Sequence, residues 1–306
     1  MGRRLTFSAF IFCFLFFADN IYADVGEKSG SFMKICPGAK PASMAGAYAG
    51  VSGDMLNFYY NPAGLSSLNG YKFSFSHAFW LGSMNYSNFT AGAPLIDGYV
   101  AFGVNGLFAG EIDKYDRHGL EVGKSYSPSD ISVGLSYSRD LEKISAGAAI
   151  KYITSEIAGC RAETFALDMG IMKRFGLFNT GFSIQNISGE MKFRNEGYSL
   201  PTVVRLGITY PFEYLDFSML SSLEANISDD AGFKMNAGLN VDYPVDEMVF
   251  SVRIGVKSYA EGLDLLSHFT AGFGVEYSDV VFDYAFDSYE DLGGTHRLSF
   301  GYRIGA

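Results

Sequence analysis

From residue 71 onward the chain alternates apolar and polar residues with a period of two. About 14 such segments follow one another, most of them 10–13 residues long: 71–80, 83–93, 97–108, 129–140, 142–155, 163–174, 177–187, 199–210, 214–227, 231–243, 247–258, 266–277, 279–288 and 294–304. Period two is the signature of a strand with unlike faces. Strands in globular proteins run about 5–6 residues. A tilted strand crossing a bilayer needs about 9–11. In the first segment Tyr71, Phe73, Phe75, His77 and Phe79 share one face, with Lys72, Ser74, Ser76 and Ala78 opposite. In 199–210 the apolar set is Leu200, Val204, Leu206, Ile208 and Tyr210, against Arg205, Gly207 and Thr209. The last segment sets Leu298, Phe300, Tyr302 and Ile304 against Arg297, Ser299, Gly301 and Arg303.

Period alone does not say which face looks inward, because a soluble barrel alternates too. The polar face is rich in Gly and Ser and poor in charge for a solvated exterior. Small polar residues suit a crowded lumen. An even strand number closes as bacterial outer-membrane barrels do, and lipid demands closure because an open sheet edge finds no water there. The expected fold is all-β: a 14-stranded antiparallel transmembrane β-barrel behind a short helical and coil N-terminal hatch.

Composition removes other classes. With 48% hydrophobic and 18% charged residues the chain is not disordered. A net charge of −10 leaves no basic patch for a nucleic-acid partner. Residues 1–23 read as a signal peptide: Arg3 and Arg4, an apolar run from Leu5 to Phe17, then Ile21-Tyr22-Ala23. Its removal leaves 21 basic and 32 acidic residues, and two cysteines, Cys36 and Cys160. Export permits a disulfide between them; two unrelated small residues are the plainer alternative. The organisation expected is signal peptide 1–23, hatch 24–69 and barrel 70–306, placed in the bacterial outer membrane with its lipid as the first partner.

No catalytic constellation is legible, so an enzyme is not expected. His77, His118, His268 and His296 are isolated and lack metal-ligand spacing. Fragments such as Gly272-Phe273-Gly274 lie inside strands, without the strand–turn–helix context of a phosphate loop. No metal or cofactor is expected. The period places Arg205, Arg253, Glu276, Asp283, Asp287, Arg297 and Arg303 in the lumen, together with Lys151, Asp168, Glu224, Lys234 and Lys257. Buried charges require partners, and the last hairpin is expected to set Asp287 opposite Arg297. These groups either lock the hatch or line a wet pore. Residues 109–128 and 188–198 read as long solvated loops.

Residues 24–69 do not alternate. Lys40 to Gly50 reads as a small-residue helix, Asp54 as a cap for the turn after it, and Asn61-Pro62-Ala63-Gly64-Leu65 as a rigid turn in which Gly64 can supply a positive φ. The run Gly38-Ala39…Met44-Ala45-Gly46-Ala47-Tyr48…Asp54…Tyr60-Asn61-Pro62-Ala63-Gly64-Leu65 resembles the N-terminal signature of the PorV/PorQ family, which is related to the FadL long-chain fatty-acid transporters. Ala45 stands where glycine is commoner. The resemblance implies an N-terminal hatch followed by a barrel of about 14 strands, and residues 24–69 either plug the lumen or cover its periplasmic mouth. It also implies either passage of hydrophobic compounds or an accessory role with secreted proteins in type IX secretion. A structural protein without transport is the third reading. The closing segment His296 to Ile304 is similar to the family's last strand, which implies the barrel-assembly machinery as a partner.

Overall fold

The computed structural model describes residues 28–123, 125–193, 196–258 and 265–305; the expected signal peptide lies outside them. Sixteen strands follow in chain order. They are β1 (Tyr71–Phe79), β2 (Asn85–Leu95), β3 (Gly98–Phe108), β4 (Ser129–Asp140), β5 (Ser145–Ile157), β6 (Cys160–Phe175), β7 (Phe178–Ser188), β8 (Glu190–Phe193), β9 (Glu196–Ser199), β10 (Val203–Tyr214), β11 (Phe217–Ser228), β12 (Gly232–Val245), β13 (Met248–Lys257), β14 (Phe269–Tyr277), β15 (Val280–Ser288) and β16 (Gly294–Ile304). Fourteen of them form one closed antiparallel barrel. The first and last seal it, from Tyr71 opposite Ile304 to Phe79 opposite His296. Among the described residues no helix is long and apolar enough to cross a membrane.

The expected faces are the observed ones. Phe75, Phe165, Val252, Ile254, Phe273 and Phe300 stand exposed on the outside. Ser76, Thr90, Ser136, Ser183, Thr209 and Ser222 are buried inside. Six of the connections, at 96–97, 141–144, 176–177, 215–216, 246–247 and 278–279, are tight and share the end from which β1 departs (the turn end). The longer 109–128 and 189–202 lie at the opposite, loop end.

Two expectations change here. The stretch 188–198 is not simply a solvated loop: β8 and β9 pair as a hairpin, and Met191 at its base is fully buried. Leu200 is not outward-facing, because β10 begins only at Val203 and the chain before it turns in; Leu200 is 1% exposed. Period two holds only where a ladder holds it.

Candidate functional site

The lumen is filled by residues 28–69. Lys28 meets Asp229 at the loop end, and Gly70 presses on the Ile304 and Gly305 backbone at the turn end. Between these points the segment is coil with short turns of helix. Only Ala39–Ser43 of the expected Lys40–Gly50 helix is α-helical. Positive φ at Ala45 (56°) and Gly46 (73°) breaks it, a conformation that an L residue such as Ala45 adopts only when its surroundings enforce it.

Those surroundings are the wall. The Glu224 carboxylate accepts the amides of Tyr48 (2.9 Å) and Ala49 (2.8 Å). Ser222 donates to the Ala47 carbonyl (2.6 Å) and Thr209 to that of Gly50 (3.0 Å). Thr270 donates to Ser43 O (3.0 Å) and accepts from Ala45 N (3.1 Å). Ser183 donates to Tyr60 O (2.7 Å). A coil inside a barrel must place its backbone groups somewhere, and the small polar side chains of the inner face receive them.

Glycines make the approach possible. Inward-facing Gly103–Gly134, Gly147–Gly170, Gly181–Gly207 and Gly238–Gly255 are paired directly across neighbouring strands. A Cβ at Gly181 or Gly207 would strike the backbone at Ala49 and Gly50. At Gly147 or Gly170 it would strike Pro62 or Asn61, at Gly238 or Gly255 Met44 and Ala45, and at Gly103 or Gly134 the Phe58 ring. The glycine content noted in the sequence is therefore a girdle shaped to the hatch.

The hatch motif sits at these contacts. Met44 is fully buried. Asp54 accepts from Leu56 N (2.9 Å) and Tyr48 Oη (2.8 Å), and Lys40 is 3.3 Å away. Asn57 Oδ1 accepts from Asp54 N in return (3.1 Å), so Asp54 and Asn57 cap the turn reciprocally. Burial pushes the Asp54 carboxyl up, but Lys40, the Leu56 amide and the Tyr48 hydroxyl outweigh it and hold it below the usual carboxylate range. Burial also raises the Tyr48 and Tyr60 hydroxyls well above their ordinary values and raises the Cys36 thiol. Asn61 accepts from Ala63 N (3.2 Å) and donates to Ala49 O (2.9 Å) and Ile171 O (3.2 Å), and Pro62 begins the following 3-10 turn. Gly64 does not take a positive φ; it is required because the Asn57 carboxamide occupies the space a Cβ would need.

The lumen charges pair. Arg205 meets Glu224 at 2.7 Å, Arg253 meets Asp283 at 2.6 Å and Asn240 at 2.6 Å, and Lys151 meets Asp168 at 2.8 Å. Lys257 bonds Asp287, and Arg303 bonds Glu276 near the turn end. Asp287 does not face Arg297 in register: it faces Thr295, and Arg297 faces Ala285. Arg297 Nη1 reaches Asp287 only diagonally, at 3.8 Å, and its guanidinium lies 5.1 Å from the Trp80 ring centroid. Lys234 stands exposed at the loop end. Cys36 and Cys160 are both free; Cys36 contacts the Tyr60 hydroxyl.

Two features were not legible in the sequence. The register of β6 against β7 shifts between Leu167 and Met169. Asn186, at φ 59°, is held there by Asp168 (2.8 Å) and Lys151 (2.6 Å), and it donates to Pro201 O (3.0 Å). At the loop end Phe32, Ile35, Tyr86, Ile153, Met191 and Leu200 form a buried apolar cluster, with Trp80, Leu107 and Phe193 around it. This cluster packs above a lumen whose cavity, about 180 Å³ at the turn end, is lined by Lys40, Asp54, Lys72, Arg253, Asp283 and Arg303 among others.

No family model and no curated protein matches the chain. Solved structures share its fold. The toluene transporter TbuX of Ralstonia pickettii superposes with a TM-score of 0.59 at 11% identity, covering 89% of this chain and all of that one. The toluene transporter TodX of P. putida gives 0.57 at 11%, with the same coverage. The monoaromatic hydrocarbon channel CymD gives 0.58 at 11%, covering 89% of this chain and 98% of its own. The fold they share is a closed antiparallel β-barrel.

Proposed function

We propose that the protein lies in the bacterial outer membrane and passes small hydrophobic compounds inward through its wall or lumen. The observation that carries this reading is the buried apolar cluster inside the loop end of the lumen. The lumen is otherwise lined by Gly, Ser, Thr and paired charges, yet at its loop end Phe32, Ile35, Ile153 and Met191 pack into a buried apolar cluster. A solute that replaces part of this packing gains about 25 cal/mol per Å² of its apolar surface taken from water. Likeness in fold to toluene and hydrocarbon channels is consistent with that chemistry. On this reading residues 1–23 direct export, the outward face contacts lipid, β16 is read by the barrel-assembly machinery, and the chain is a channel and not an enzyme. The test is uptake of labelled toluene by cells with and without the gene. Equal uptake would remove the proposal.

The order Met44, Gly46, Asp54, Asn61-Pro62-Ala63-Gly64, with each residue seated in the lumen, supports a hatch of PorV/PorQ type. That favours a second reading, an accessory of type IX secretion. Accumulation of exported proteins in the periplasm of the deletion strain, with uptake unchanged, would select it.

A further inference from the structure

The turn-end cavity holds more hydrogen-bond donors than the protein satisfies. Part of its wall is the inner face of the two sealing strands, where Lys72 on β1 stands directly opposite Arg303 on β16, and Ser74 opposite Gly301. All four residues line the cavity. Like charges set directly opposite each other on an antiparallel pair repel and weaken the ladder. The carboxylates of the cavity do not relieve this pair, because each is already engaged. Asp54 is taken by Lys40, the Tyr48 hydroxyl and the Leu56 amide. Asp283 is taken by Arg253, and Asp242 by Asn240 (2.8 Å) and Ser251 (2.6 Å). Glu276 binds Arg303 Nη2, which also donates to Ser278 O at 3.1 Å. Three donors are left over. Among the described residues Lys72 pairs with no carboxylate. Arg303 Nε is buried with no acceptor. The Ser74 hydroxyl makes no side-chain hydrogen bond among the described residues.

We propose that this seam is a binding site for the oxyanion group, carboxylate or phosphate, of a small solute. An oxyanion brings acceptors and no donors, which is what Lys72 Nζ, Arg303 Nε and Ser74 Oγ lack. Its charge turns the repulsion between the two cations into a shared attraction, and hydrogen bonds to an ionised acceptor are the stronger kind. Gly301 keeps the space before Ser74 open: a Cβ there would come no nearer than 3.4 Å to Val281. The rest of the solute has Met55 and Leu56 of the hatch and Val281 of the wall to rest against. An occupant therefore touches the hatch and both strands of the closing seam. The site does not depend on the uptake reading above, since toluene carries no group for it.

The test is calorimetric titration of the purified protein in a non-ionic detergent with sodium phosphate and, separately, with sodium benzoate, each against sodium chloride at equal ionic strength. Binding of at least one is expected. Phosphate alone assigns a phosphate group, benzoate alone a carboxylate on an apolar body, and both together an oxyanion site indifferent to the body. Lys72→Gln should weaken the binding at least tenfold. Gly301→Val keeps both cations and fills the space before Ser74, so it should weaken binding too, and it stands in should Lys72→Gln fail to fold. Folding is checked by the gel-mobility shift between unheated and boiled samples. Without anion, Lys72→Gln should shift at a temperature no lower than the parent's, because it removes a repulsion. Lys143→Gln, in the turn between β4 and β5 and outside this cavity, should bind as the parent does. No binding of either anion, or binding unchanged in both Lys72→Gln and Gly301→Val, overturns the site. Toluene uptake in cells carrying Lys72→Gln should equal the parent's, so the site and the uptake reading fail separately.

Discussion

Glu224 on β11 binds the Tyr48 amide of the hatch at 2.9 Å through one carboxylate oxygen, while the other oxygen receives Arg205 at 2.7 Å. Wall, charge network and hatch therefore meet in one side chain that is 1% exposed.

Glu224→Ala is expected to remove two hatch contacts and strand the Arg205 guanidinium. Removing one partner of a buried pair costs about 3–5 kcal/mol. The temperature at which the unheated gel band shifts to the boiled position should fall. Glu224→Gln, which keeps an acceptor oxygen for the amides, should fall less.

Arg297→Met is expected to cost less than Glu224→Ala, although Arg297 is as deeply buried. Its Asp287 contact is 3.8 Å, beyond a hydrogen bond, and Asp287 retains Lys257. A methionine replaces the stem and keeps the contact with Trp80. The same thermal shift compares the two, and a larger loss at Arg297 would refute the ranking.

Gly207→Val places a branched side chain against the Gly50 and Ala49 backbone, which cannot turn aside. Overpacking of this kind costs about 1–3 kcal/mol, or it pushes the hatch from its seat. Planar-bilayer conductance should rise from the parent level. Gly110→Ala, where a Cβ meets nothing within 4 Å, should leave it unchanged.

Asp54 makes the hatch acid-sensitive in a defined direction. Its folded pKa lies below the ordinary value, so its contribution is present above about pH 4 and is lost as pH falls through the folded pKa. Amide hydrogen exchange across residues 38–57, corrected for intrinsic rate, should stay slow at pH 5 and quicken only well below pH 4. Asp54→Asn should exchange faster at pH 7.

Val252 is 61% exposed on the outward face of β13. Val252→Arg should cost about 2–4 kcal/mol if this surface meets the bilayer midplane. In lipid vesicles its stability should drop by that amount. A neutral result would place the band outside lipid.

Much of the architecture was readable because it is local. Alternation along Phe269, Ala271, Phe273 and Val275 fixes which way each side chain points once the segment is a strand, and segment length fixes how far the strand reaches. The same parity assigns Arg253, Asp283 and Glu224 to the inner face, where each is buried, and does not say which partner each meets. Parity gives no stagger between strands, which is why Asp287 was set opposite Arg297 when the register sets it opposite Thr295. The hatch motif gave away its rigid turn, because Pro62 and the Asn61 cap act over two or three residues.

The sequence by itself determined a closed barrel with apolar residues outside and small ones within, since a period of two and a turn's chemistry are properties of neighbours in the chain. Tertiary structure alone decided what those small residues are for. That Gly181 and Gly207 must lack a Cβ, and that Met191 and Leu200 turn inward to meet Phe32, follow from groups brought together by barrel closure across 100 residues or more of chain, and no local pattern records such a meeting.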